Sequence, residues 1–585
     1  MAGQPWSEVL RFRRVSDRPP LRVGIMLDTW VVPAWIAHVI DLFQAAPFVE
    51  VSGVVLNRRA MEGDAPVASG GAGGKLRRLL TGKIGLKGVL WSMYTQWDDR
   101  TFHFPDDPFA PVDVHARLPS VPAIVVEPVG KKIVHRFAEP DLSVISGWNL
   151  DVLVRFGFNI LKGDILNAAR YGVWSYHHGD NRIYRGGPAH FWELYEKHLL
   201  SGVILQVLTE ALDGGHVIYR TWSSTQHGIS LRKNRYVPYW KASAFMLRRL
   251  HDLHERGWEW LTSQPDWSEP VRPESKIYKA PSNATVAHFM ARNVVRTATL
   301  RLTRSHIQEH WFIAFRQDRA RFVRNTREID TTGFRPVMPP RGRFYADPFA
   351  VRWKGRDFLF FEDYIYAQER GIVSFVEVFS DGRVSAAETA LERPYHLAYP
   401  CVFEHDGEMY MIPETMANRT VELYRAVEFP HRWELVRTLQ QDIRAIDVTF
   451  HHQDGTCYFF ATVVERGEAY TDELFLFVSD SLTGEWRSHP LSPVVSDVRR
   501  ARSGGALFLR DGRLMRPSQD CSVRYGYACV LNEVTKLSPT EYDERPVGTI
   551  LPDWHPGLRG THTLNSTETL EVIDGVVHVP RRKVV

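Results

Sequence analysis

One dipeptide returns through the second half of this chain and limits what it can fold into. Lys354-Gly355, Asp406-Gly407, Asp454-Gly455, Asp511-Gly512 and Asp574-Gly575 stand about 50 residues apart. Asp-Gly between apolar alternations is the strongest short signal for a β-hairpin, because both central residues of that turn need positive φ. The flanks agree. DPFAVRW, YPCVFEH, VTFHHQ, ALFLR and TLEVI precede the five turns, and FLFFED, MYMIPE, CYFFAT, LMRPSQ and VVHVP follow them. Five such units predict a five-bladed β-propeller, with a β-sandwich or irregular sheet as the competing reading. The last unit ends soon after its turn, so HWFIAFR at 310–316, a strand with no blade of its own, is expected to complete blade five and close the ring.

The same register selects candidate site residues. Eight positions before the turn glycine stand Asp347, Tyr399, Asp447 and Gly504; seven positions after it stand Glu362, Glu414, Thr462, Gln519 and Arg582. Equivalent positions converge near the channel of a propeller. With the nearby Arg502, Asp520 and His562, these groups suit a hydroxyl-rich ligand. Solvated strand ends are the plainer alternative.

A chain of 585 residues exceeds one core, since single cores stop growing near ~250–300 residues. LRVGIML (21–27), a helical stretch from Pro33 to Phe43 and VEVSGVVL (49–56) open a doubly wound α/β sheet. Further strands are expected at 121–127, 142–146, 151–157, 172–178 and 202–208, and APVASGGAGG (65–74) reads as a loop. The expected organisation is an α/β domain over 1–225, a helical linker or subdomain over 226–305 and the propeller over 306–585.

Composition removes several functions. With 72 basic and 68 acidic residues, net charge +4, there is no electrostatic footprint for nucleic acid. The basic run Arg292–Arg304 reads as a solvated helix face. The four cysteines, Cys401, Cys457, Cys521 and Cys529, form no C-x-x-C pair, so no zinc site is expected and buried thiols are. Neither a signal-peptide core nor a bilayer-length apolar run is found, which points to a soluble cytoplasmic protein without a membrane span.

GVWSYHHGDNRIYRGGPAHFWELY…SGVILQVLTEALDGGHVI resembles the core of the formyltransferases, the family of methionyl-tRNA and sugar N-formyltransferases. Gly172, His177, Arg185-Gly186, Gly202-Val203 and Leu212-Asp213 match its ordered pattern, and His177 and Asp213 lie 36 residues apart. The resemblance is good over 150–220 and weaker over 20–150. It implies 10-formyltetrahydrofolate as donor and an amine as acceptor, with His177 at the reacting carbonyl and Asp213 setting its protonation. The family's Asn falls on Ser175, a shorter oxyanion donor. Its Ser-Leu-Leu-Pro loop is here Gly179-Asp180-Asn181-Arg182, so a different acyl donor or an inactive site is also open. His178, Arg185 and Gly186 are expected to line the substrate.

FYADPF, HLAYP, MYMIPET, RPSQD and GTHTLN resemble the N-terminal propeller domain of plant glucosamine inositolphosphorylceramide transferases, itself akin to arabinanase- and xylosidase-type five-bladed glycoside hydrolases. That resemblance places Asp347 at the base position and Asp447 at a second acidic position. The acid expected at the start of blade four is missing, since Ala501-Arg502-Ser503-Gly504-Gly505 stands there. Glycoside hydrolysis needs two carboxyl groups in distinct roles, so glycan binding is favoured over cleavage. Together these readings predict a transferase that formylates, or similarly acylates, an amino sugar, nucleotide-sugar or glycan held by the propeller. A glycoside hydrolase or transglycosidase, and a non-catalytic glycan-binding protein, are the alternatives.

Overall fold

The computed structural model describes residues 16–62, 88–130, 133–212, 214–268, 276–304, 306–317 and 329–581. Contacts divide the chain into one unit over Glu8–Thr297 and a second from Ala298 to Val585.

The first unit is built on seven strands: β1 Leu21–Leu27, β2 Val49–Asn57, β3 Ala123–Val126, β4 Val152–Arg155, β5 Val173–His177, β6 Leu200–Val207 and β7 His216–Ser224. Their order in the sheet is β7-β6-β5-β4-β1-β2-β3. β1 pairs in parallel with both β2 and β4, and β4 with β5; β6 is antiparallel to β5 and β7. The parallel strands are apolar on both faces because helices cover both faces. Helix α1 (Ala34–Ala45) turns Trp35, Ile36, Val39, Ile40 and Phe43 inward, the spacing of one helix face.

Two expectations need correction. LSVIS (142–146) is not a strand but part of helix α2 (Glu139–Gly147). Pro140 and the acidic Glu139 and Asp141 suit a helix start, and only Leu142 and Ile145 of the segment are buried, a helical spacing. Nor does residue 226 begin a separate linker. Helices α3 (Leu231–Ala242) and α4 (Phe245–Arg256) put Tyr236, Trp240, Phe245, Leu250 and Leu253 into the same core as Val23 and Ile25 of β1. The expected helix beyond 285 is α5, Asn283–Arg304, with Val294, Val295 and Arg296 exposed. The expected loop at 65–74 lies outside the described residues. Among the described residues no helix is long and apolar enough to cross a membrane.

The second unit is a five-bladed propeller. Blade one comprises Arg343–Trp353, Arg356–Ile365, Arg370–Val378 and Glu388–Leu391, paired in chain order. Blade two (398–441), blade three (445–496) and blade four (508–550) repeat this meander. In blade five the strand Glu571–Pro580 pairs with Ile307–Arg316 from Ile307↔Pro580 to Arg316↔Glu571, as the orphan strand 310–316 predicted. Arg335–Val337 then adds an outer strand that the sequence reading did not include. Apolar clusters lie between the blades; one joins Phe349, Tyr399, Cys401, Phe450, Phe459 and Trp486 of blades one to three. All four cysteines are buried and free.

Four of the five turns are as predicted. Lys354-Gly355, Asp406-Gly407, Asp454-Gly455 and Asp511-Gly512 have φ between 48° and 79° at both residues. The fifth is not a turn. Gly575 pairs with Phe312 inside the strand Glu571–Pro580, and the hairpin of blade five closes at Thr567, whose N–H donates to the Leu570 carbonyl.

Candidate functional site

The positions eight before the turn glycine share a backbone device. Asp347, Tyr399 and Asp447 have φ of 51°, 41° and 51°, and the pairing register shifts at each: Ala346/Phe349, Ala398/Cys401 and Ile446/Thr449. Each is a β-bulge in the first strand of its blade. A bulge re-aims a side chain, and non-glycine residues pay for left-handed φ with strain that the surrounding ladder must hold. In blade four Gly505, one position further on, also has positive φ, 137°, with Leu564 O only 1.9 Å from where a Cβ would lie.

These bulges sit in a polar, buried network. Asp447 is 1 % exposed. Arg502 grips it with Nε at 2.6 Å from Oδ2 and Nη2 at 3.2 Å from Oδ1. Gln519 donates to the same Oδ2 at 2.8 Å. The Asp447 N–H donates to Glu414 Oε2 at 3.3 Å. Arg502 also lies over the Tyr525 ring at 4.8 Å. Tyr399 O–H pairs with Thr449 Oγ1 at 2.9 Å and accepts from Gly505 N–H at 2.6 Å. Thr462 is buried too, whereas Arg582 lies outside the described residues.

Asp347 belongs to a second arm of the network. Thr563 Oγ1 donates to its Oδ1 at 3.0 Å, and His562 Nε2 is 3.7 Å from that oxygen. His562 Nδ1 lies 2.5 Å from Asp574 Oδ2, and its ring stacks on Trp311 at 4.2 Å. Asp574 also accepts the N–H groups of His562 (2.8 Å), Thr563 (3.1 Å) and Asp347 (3.2 Å). His562 thus stands between two carboxylates. Burial alone would lower its pKa, but Asp574 and Asp347 outweigh burial and raise it. Asp347, His562 and Asp574 bring ligand atoms within 4.8 Å of one another, the spacing of a metal group. With both ring nitrogens facing carboxylates, the imidazole is oriented and its protonated form favoured.

The acids of the centre are unlike one another. Burial, with Asp347 and Glu414 nearby, pushes the Glu362 carboxyl well up. Burial, with the Asp447 charge, pushes Glu414 up to about 8. Burial raises Asp347 to about 6. Glu362 and Glu414 are therefore biased toward their protonated forms, while Asp447 is paired with a guanidinium. The centre offers both hydrogen-bond donors and acceptors, and carboxyl groups pushed apart in protonation. Asp520 does not take part: its Oδ1 accepts the Ser522 N–H at 2.8 Å, a local turn contact.

In the first unit, Ser175 and His177 stand two apart on β5 and so share a face, at the carboxyl end of the parallel strands. His177 Nε2 is 2.8 Å from the Tyr184 carbonyl oxygen, which can only accept, so Nε2 carries the proton. Ser175 Oγ accepts from Arg155 Nη1 at 2.9 Å. Asp213 lies outside the described residues, so the expected His177–Asp213 pairing has no described geometry. His178 is half-buried, stacked on Tyr239 at 3.8 Å, with a pKa lowered chiefly by burial. It was expected to line the substrate. Arg185 was too; it is 7 % exposed and donates to the Leu212 carbonyl at 2.7 Å. Gly186, with φ 83°, pairs against Tyr278. Arg185 braces the segment before Asp213. The departing loop is held by Asp180, which is bonded to Arg182, Arg220 and Trp222.

Comparison with known proteins reaches the propeller. The family model for the N-terminal region of glucosamine inositolphosphorylceramide transferase 1 matches residues 337–566. Glucosamine inositolphosphorylceramide transferase 1 of Oryza sativa subsp. japonica is 36 % identical over 208 residues, 35 % of this chain and 28 % of the relative. The Arabidopsis thaliana protein of the same name is 31 % identical over 247 residues, 40 % of this chain and 32 % of the relative. The chain thus spans less than a third of these relatives' length. Among solved structures, a β-xylosidase, RS223, has 13 % identity and a TM-score of 0.30 over 37 % of this chain and 80 % of its own. Glycinamide ribonucleotide transformylase 1 from Symbiobacterium toebii has 13 % identity and a TM-score of 0.27 over 40 % and 89 %. At these scores the two structures carry no argument; the fold rests on the strand pairings above.

The match covers Asp347, Glu362, Glu414, Asp447, Arg502, Gln519 and His562, but ends before Asp574. Sequence reading had taken Asp574 for a turn residue. Its signal was the spacing: Asp574-Gly575 falls 63 residues after its predecessor, the longest interval of the series.

Proposed function

We propose that the propeller centre binds a sugar and that the chain is a transferase acting on a sugar-bearing substrate. The observation that carries this reading is the convergence of Asp347, Glu362, Glu414 and Asp447 with Arg502, Gln519 and His562 in one buried centre. The name of the relatives, glucosamine inositolphosphorylceramide transferase 1, is consistent with it. Neutral Glu414 beside the clamped Asp447 is a pair of unlike carboxyls. Such a pair can protonate a leaving glycosidic oxygen and stabilise the positive charge that develops on the sugar ring.

Calorimetric titration of glucosamine, N-acetylglucosamine and inositol-linked glucosamine into the full chain tests it. Binding is expected in the wild type and at least tenfold weaker in Asp447→Asn and Glu414→Gln. Sugars that fail to bind, or bind the variants equally, reject the reading.

A second reading concerns the first unit: formylation of an amino group on that sugar. It is favoured by the fixed Nε2–H of His177 at the carboxyl end of β5. 10-Formyltetrahydrofolate would supply the formyl group, with His177, Ser175 and Asp213 at the reacting carbon. Ser175 Oγ accepts from Arg155 and donates to the Tyr176 carbonyl at 3.3 Å, a long bond that its proton would exchange for one to an oxyanion. Product analysis with amino sugars and this donor decides it; product must form in the wild type and vanish in His177→Ala.

A further inference from the structure

The first unit contains a pocket that neither reading uses. It has a volume of about 130 Å³ and is lined by Leu194, Lys197, His227, Gly228, Arg292, Asn293 and Arg296. That is room for one small polyatomic group rather than for a whole nucleotide or lipid.

Three lining residues are cations and none is an acid. The two neighbouring glutamates do not line the pocket. Glu196 accepts from Tyr184 O–H at 3.1 Å and from Tyr278 O–H at 3.0 Å. Glu193 is buried, and burial pushes its carboxyl up to about 8, toward the neutral form. Arg292 donates to the Tyr195 carbonyl and Arg296 to the His227 carbonyl, each at 2.8 Å. Those two bonds fix the guanidinium groups and leave most of their five N–H donors without an acceptor among the described residues. His227 Nδ1 is buried and has no hydrogen-bond partner. The imidazole is held below its usual pKa first by burial, then by Arg296, Lys197, His198 and Arg292, all of one sign.

Guanidinium forks beside an ammonium, with no acid in the lining, form a receptor for a tetrahedral oxyanion. We propose that this pocket binds the phosphate of a phosphoester ligand through Lys197, Arg292 and Arg296, with His227 as a further donor. Exposed Leu199, Val294 and Val295 stand beside two of these cations in the chain. A phosphate on a lipid headgroup and one on a soluble ester both present the required chemistry. This proposal is independent of the propeller reading, and its test involves no sugar.

The full chain is titrated calorimetrically with inorganic phosphate, uridine diphosphate and, as a control, nitrate. It is also floated with phosphatidylcholine vesicles with and without phosphatidylinositol. The test variant is Lys197→Gln/Arg296→Gln, both exposed positions; Arg301→Gln on the same helix is the control. Phosphate or uridine diphosphate is expected to bind in preference to nitrate. The double variant should lose at least tenfold, while Arg301→Gln and the melting temperatures stay unchanged. His227, followed by NMR, should titrate at higher pH with phosphate bound. Flotation that requires phosphatidylinositol and is lost in the double variant assigns a lipid source; binding of the soluble probes alone assigns a soluble ester. Failure of every phosphate probe, equal binding of nitrate, or undiminished binding by the double variant overturns the proposal.

Discussion

Asp574 accepts four hydrogen bonds from three residues, and each of them contributes to the site: His562 through its ring and its N–H, Thr563 and Asp347 through theirs. Asp574→Asn keeps the shape but removes the charge that His562 faces. Breaking a buried ion pair by removing one partner typically costs about 3–5 kcal/mol. We expect a stability loss near the lower end of that range in urea unfolding, and a lower His562 pKa by NMR; an unshifted His562 would refute the pairing. Glu414 gives a pH dependence with a definite sign. Its carboxyl is raised from 4.5 to about 8 in the folded chain, so the folded state binds more protons than the unfolded state between those values. Stability contributed by this group therefore falls as pH rises from 4.5 to about 8, by at most about 1.4 kcal/mol per pH unit. Glu414→Gln removes the dependence. The variant should gain stability relative to wild type across this window, most at its upper end, in unfolding curves measured at several pH values.

At the scale of the strand and turn, two glycines with the same label serve different ends. Gly407 has φ 78° and nothing within 4 Å of where a Cβ would stand. Gly407→Ala should cost about 1–2 kcal/mol, the penalty of left-handed φ alone. Gly505 has φ 137° and would put a Cβ 1.9 Å from Leu564 O, at the junction of blades four and five. Gly505→Ala must move a neighbouring backbone, so its loss in thermal unfolding should exceed that of Gly407→Ala; equal losses would contradict the packing. The hairpins were readable because a two-residue turn with two positive φ angles is a local demand that Asp-Gly meets by itself. The bulges at Asp347, Tyr399 and Asp447 were not, because a bulge is defined by the partner strand. Likewise LSVIS has no local feature that excludes a strand; its burial pattern decides for a helix.

At the scale of the molecule, ring closure by Ile307–Arg316 makes the propeller depend on a segment before blade one. A fragment starting at Ala298 should unfold cooperatively. One starting at 317 should lose cooperativity and aggregate, since the strand Glu571–Pro580 is left with an open edge. Calorimetry of the two fragments checks this, and a cooperative 317 fragment would show that closure is dispensable. What the sequence by itself determined is what short-range chemistry can encode: the apolar runs of β1 and β2, the repeat of about 50 residues, four turns and the orphan strand. It also placed Asp347, Glu362, Glu414, Asp447 and Gln519 at the centre, because a regular repeat carries register from blade to blade. Only the tertiary structure decided that α3 and α4 join the first core, that Arg185 packs inward, and that Asp574 is a buried acceptor rather than a turn. Each of these is set by groups distant in the chain, Asp574 by Asp347 across the closure of the ring, and no local pattern records such a partner.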